Sequence, residues 1–166
     1  VPSPANTRRA RAALIAIACS LATPAAAVEA PSGLVFSAGV GGGVELGLPG
    51  EKAGLAETEL TVGWEHEATG VRPEVGFGLG LAPDTHFALR PGVRWAAPDI
   101  PFQFRIALDW SNARAEKRWR WLLIGGVFEL RWTSAFSLFA GLDLGFPIGR
   151  DAGLPLLARG GAAFRF

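Results

Sequence analysis

Along 102–110 the chain alternates without a break: Phe102, Phe104, Ile106, Leu108 and Trp110 are apolar, and Gln103, Arg105, Ala107 and Asp109 between them are polar or small. A period of two sends successive side chains to opposite faces of a β-strand. The stretch therefore predicts a strand with one greasy side and one charged side. The same pattern recurs at 34–46, 57–65, 71–81, 86–95, 120–132, 136–146 and 156–166. In the last of these, Leu156, Ala158, Gly160, Ala162, Phe164 and Phe166 share one face, and Arg159 and Arg165 lie on the other. Within 120–132, Leu122, Ile124, Phe128, Leu130 and Trp132 oppose Glu129 and Arg131, while Trp119, Trp121 and Leu123 fall out of phase. One extra residue restores the phase, so a β-bulge is expected there.

Turn chemistry separates the segments. Ala82-Pro83-Asp84-Thr85 reads as a tight turn, and 96–101 carries two prolines, which have no N–H to give a ladder. The stretches 47–56, 111–118 and 147–155 read as longer loops. Eight segments of about ten residues match the length of a tilted strand crossing a bilayer. An even count brings both ends to one side, with longer connections outside and shorter ones periplasmic. The pattern predicts an all-β chain forming an eight-stranded antiparallel up-and-down transmembrane β-barrel.

Alternation alone does not say which face points inward, and a soluble secreted barrel of the lipocalin kind has the same period. The tryptophans favour the membrane. Trp64, Trp95 and Trp132 fall at one predicted rim and Trp110 and Trp119 at the other; with Phe146 and Phe166 they make two aromatic girdles. The charges agree. The polar faces hold seven acids (Glu45, Glu59, Glu65, Glu74, Asp109, Glu129, Asp143) and seven arginines (Arg72, Arg90, Arg94, Arg105, Arg131, Arg159, Arg165). An eight-stranded barrel is only wide enough for its own side chains, and enclosed charges must pair. A lumen filled by an Arg–acid network is the expectation.

Composition narrows the partners. With 22 Gly and 12 Pro long helices are disfavoured, and the 49% hydrophobic content is dispersed, with no run long enough for a membrane helix. A net charge of +1 without a basic stripe argues against nucleic acid. The single Cys19 has no internal disulfide partner. At the N-terminus, Arg8, Arg9 and Arg11 precede an apolar run over 12–22 and the small-x-small pair Ala25 and Ala27. This is a secretory signal pattern, giving a signal peptide at 1–27, a lead at 28–33 and a barrel at 34–166.

Candidate chemistry is sparse, and no cofactor or metal is expected. His66 and His86 fall at opposite barrel ends and cannot share a metal. If the fourth and fifth strands pair across 96–101, His86 comes opposite Ser111, with Asp109 and Asp84 nearby. Those are the residue types of a nucleophile, base and orienting acid. Arg114, Lys117, Arg118 and Arg120 form a basic patch suited to lipopolysaccharide phosphates. The glycines over 39–43 and 76–80 alternate within strands and do not precede a helix, so no nucleotide loop is read there.

Over 31–166 the chain resembles the small eight-stranded outer-membrane barrels of the outer-membrane protein A and X type, by pattern rather than by a diagnostic motif. Phe164 and Phe166 stand where that family carries its C-terminal assembly signal; the girdles here use Trp and Phe, with no Tyr. The resemblance implies a monomer in the bacterial outer membrane, with lipid, lipopolysaccharide and the barrel-assembly machinery as partners. A structural, envelope or surface-interaction role follows. A narrow water or ion channel and an outer-rim lipid-modifying enzyme are the alternatives.

Overall fold

A computed structural model of the chain describes residues 33–46, 53–66, 68–96, 100–112, 118–148 and 153–166. The expected signal peptide with Cys19, and the lead up to residue 32, lie outside the described residues. The described residues form eight strands: β1 (Gly33–Leu46), β2 (Ala53–Glu65), β3 (Val71–Ala82), β4 (His86–Ala96), β5 (Phe102–Ser111), β6 (Arg118–Arg131), β7 (Phe136–Pro147) and β8 (Leu154–Arg165). Each pairs antiparallel with the next, and β8 returns to β1, closing the barrel. The seam runs from Val35 opposite Arg165 to Leu46 opposite Leu154. It is tied off where the Leu34 N–H donates to the Phe166 carbonyl at 3.2 Å and the Phe166 N–H to the Leu34 carbonyl at 3.0 Å.

Four strands begin earlier than the alternation suggests: β1 by one residue, β6 and β8 by two, and β2 by four. β2 starts at Ala53 instead of residue 57, because Gly54, Leu55 and Ala56 pair with Val44, Gly43 and Gly42 of β1. Likewise β8 starts at Leu154 rather than residue 156. Ladder hydrogen bonds belong to the backbone, so pairing extends a strand through residues whose side chains carry no pattern.

The expected bulge is present in β6. Asp109 pairs with Trp121 and Trp110 with Trp119, leaving Arg120 as the extra residue. The phase therefore changes at this point. Trp119 points outward, and both Arg120 and Trp121 turn into the barrel. In the short connection from β2 to β3, Gly70 has φ of 63°, a left-handed backbone that glycine adopts without a Cβ penalty, and its N–H donates to the His66 carbonyl at 2.9 Å.

The two faces are sorted in reverse of a soluble protein. Leu60, Phe87 and Phe104 are 62%, 63% and 53% exposed, whereas Arg105 and Asp109 are 0% exposed. The large apolar residues of every strand line the outside, and the charges fill the inside. One part of the interior is apolar: Ala107, Trp121, Leu123 and Leu157 pack together, with Leu55 against them. Pattern reading missed this small core. Its signal was present in the out-of-phase Trp121 and Leu123.

Candidate functional site

The lumen is the only concentration of chemistry-bearing side chains among the described residues, and it is built from the inward positions of the strands. At the rim where β1 begins and β8 finishes, Arg165 donates through Nε to Glu65 at 3.0 Å and through Nη1 to Ser137 at 2.9 Å, and also pairs with Glu129. Arg131 pairs with the second Glu65 oxygen. Gln103 bridges the group, accepting from Arg72 at 3.3 Å and donating to Glu129 at 2.6 Å.

The middle of the barrel is denser. Arg105 donates to Glu74 at 2.7 Å, to Glu59 at 3.0 Å and to Asp143 at 3.3 Å, so one guanidinium ties β2, β3 and β7 to β5. Glu59 takes three arginines: Arg159 at 2.6 Å, Arg90 at 2.7 Å and Arg105. Arg159 also pairs with Asp143, and Arg94 lies 2.7 Å from Glu74 with its guanidinium over the Phe139 ring. The planar fork of arginine suits this many-sided pairing better than a lysine ammonium would.

Toward the other end, Arg90 holds Glu57 with both terminal nitrogens, at 2.5 and 2.6 Å, and Asp109 through Nε at 2.6 Å. Arg90 reaches Glu57 across the bare inner face of β3. There Gly76 and Gly78 present no side chain, and an added Cβ at Gly78 would lie 3.7 Å from the guanidinium. The alternating glycines thus make the space the network occupies. At the mouth, the Glu45 carboxylate accepts the Gly153 N–H at 2.8 Å and pairs with Arg120, whose guanidinium stacks over Trp121; the indole N–H donates to the Gly153 carbonyl at 2.9 Å.

The network thus includes all fourteen charged residues read from the polar faces, and two more. Glu57 and Arg120 bring seven and seven to eight acids and eight arginines. Glu57 opens the stretch read as the second strand, in phase with Glu59, and Arg120 belonged to the basic patch expected at the outer mouth.

No protein-family model matches the sequence, and no curated protein matches it. Solved structures do. Neisserial surface protein A is similar with a TM-score of 0.58 at 12% identity, over 81% of this chain and 98% of that one. The attachment invasion locus protein Ail of Yersinia pestis, solved with the heparin analogue sucrose octasulfate, gives 0.53 at 14% identity over 81% and 99%. The N-terminal β-barrel domain of Pseudomonas aeruginosa OprF gives 0.51 at 12% over 80% and 97%. The chain has the fold of the small eight-stranded outer-membrane barrels.

In this outer-membrane-type barrel the rim constellation does not assemble. Ser111 pairs opposite Ala88, two positions from His86. The imidazole lies over Gly80 of β3, on the side away from β5, and its Nδ1 is 2.8 Å from the Asp84 carbonyl oxygen. Asp109 is engaged by Arg90 instead. The basic patch is also revised. Arg120 is buried inside the barrel on Glu45, because the bulge turns it inward, and so is no surface contact. Arg118 is half-buried at the start of β6, while Arg114 and Lys117 lie outside the described residues. His66 and His86 stand at opposite ends. Trp64, Trp95, Trp119, Trp132, Phe146, Phe164 and Phe166 face outward and are exposed, and Trp110 is half-buried.

Proposed function

We propose that the protein is an integral outer-membrane barrel that serves envelope structure or surface interaction and whose lumen is closed to ions. One observation carries this reading: a continuous apolar exterior encloses sixteen paired charges. In water that arrangement would expose the apolar surface of every strand and bury the polar one, a double cost. In a bilayer the exterior meets acyl chains, and a closed barrel leaves no unpaired strand edge. The Trp and Phe residues near both rims sit at headgroup level. The rim where β1 begins and β8 finishes faces the periplasm, and the rim where β1, β3, β5 and β7 finish faces outward. Closure of the lumen is supported by Glu59 meeting Arg90, Arg105 and Arg159 across the barrel axis and by the apolar group of Trp121, Leu123 and Leu157 beside it.

A surface role is favoured over a purely structural one by Arg118, which opens β6 at the outward end, and by the likeness to Ail, crystallised with a sulfated polyanion. Polyanionic headgroups of lipopolysaccharide are the matching ligand class here. The test is membrane fractionation with gel mobility of unheated and boiled protein, followed by planar-bilayer recording. Recovery in the outer-membrane fraction, heat-dependent mobility and no stable current are expected. Recovery in the soluble fraction would defeat the membrane assignment, and a steady open current would defeat the closed lumen.

A further inference from the structure

Among the described residues, every ionisable side chain facing the lumen is an arginine, an aspartate or a glutamate, with one exception. His86 is buried at the outward end of β4 and is the single lumen group whose type changes charge near neutral pH. Its surroundings fix the ring's tautomer. The Asp84 carbonyl 2.8 Å from Nδ1 can only accept, so Nδ1 carries a hydrogen, and in the neutral ring Nε2 is then the acceptor.

The ring also has a track to lie in. Gly80 pairs with His86 on one side and with Glu57 on the other. A methyl group at Gly80 would overlap the imidazole edge formed by Nδ1, Cε1 and Nε2, so the missing side chain is what lets the ring lean from β4 toward β2. Across that track stands Glu57, with both oxygens held by Arg90. The other charged groups at this level are Arg90 on the histidine's own strand, Glu59 on β2, Asp109 on β5, and Arg118 and Arg120 on β6. Arg90 engages Glu59 and Asp109, and Arg120 engages Glu45.

We propose that His86 is a proton-operated latch at the outward mouth of the barrel. A proton from solvent converts Nε2 into a donor while Nδ1–H stays on Asp84. The new N–H takes an oxygen of Glu57 across Gly80, and Arg90 gives up one arm of its two-armed grip. Acid thereby links β4 to β2 over β3 and tightens the mouth; at alkaline pH Glu57 returns wholly to Arg90. The latch concerns only the barrel interior and does not depend on which membrane holds it.

The experiment is NMR of isotope-labelled protein in phospholipid nanodiscs between pH 8 and pH 5.5, following the His86 ring, the Glu57 side-chain carboxyl carbon and the Arg90 Nε–H. In the wild type all three signals are expected to move with one midpoint. In His86→Gln the Glu57 and Arg90 movements are lost, and in Gly80→Ala, where the ring is pushed off its track, they are lost while the imidazole still titrates. Heat-dependent gel mobility of each variant reports separately that the barrel is intact. Glu57 and Arg90 signals that stay fixed while the wild-type imidazole titrates, or that move as much in His86→Gln, would overturn the latch.

Discussion

Glu59 is the most heavily used acid of the lumen, and Glu59→Gln tests whether the network is an energetic unit. The carboxylate meets Arg159 at 2.6 Å, Arg90 at 2.7 Å and Arg105 at 3.0 Å, and it is buried. The amide keeps the shape and one acceptor but removes the negative charge. Arg90 retains Glu57 and Asp109, and Arg105 retains Glu74 and Asp143, so both stay compensated. Arg159 retains only Asp143, which Arg105 shares. The loss thus falls chiefly on one guanidinium. Removing one member of a buried pair costs about 3–5 kcal/mol, and the remaining partners place this case near about 3. With a urea slope of about 2 kcal/mol per molar, the unfolding midpoint should fall by about 1.5 M. The assay is reversible urea unfolding in lipid vesicles, read by tryptophan fluorescence and checked by gel mobility. The double variant Glu59→Gln, Arg159→Met should lose less than the sum of the two single changes, because the stranded charge is gone. A midpoint within about 0.3 M of the wild type, or strict additivity in the double variant, would show that the contacts are geometric neighbours without energetic coupling.

Ile106 sits at the middle of β5 and faces outward. Ile106→Arg should cost about 2–4 kcal/mol in a bilayer and almost nothing if that face met water, so vesicle unfolding of this variant separates a membrane barrel from a soluble one. At the closing seam, a Cβ on Gly161 would run into the Ala38 carbonyl, so Gly161→Ala should destabilise by about 1–3 kcal/mol and slow the appearance of the compact form in a refolding gel. Equal refolding rates would mean that the seam can widen at no cost.

Strand identity was legible in the sequence because alternation is local: Phe102 to Trp110 or Phe136 to Phe146 announce a face every second residue, whatever the partner. The strand count and the two sets of faces followed from that period, and the rim tryptophans and the balance of acids and arginines then said which face points inward. The reading failed where local pattern and pairing part company. Arg120 changed sides because of one bulge, while Trp121 and Leu123 keep the inward phase of Glu129, and Glu57, in phase with Glu59, joins the lumen network through Arg90. The rim constellation failed by a register of two, which places Ser111 opposite Ala88. Sequence determined that the charges would be enclosed and would need to balance. Which arginine meets which acid was left to the tertiary structure, since Arg159 finds Glu59 a hundred residues away only after β8 closes on β1 and the glycine faces of β1 and β3 leave room for the guanidiniums to cross.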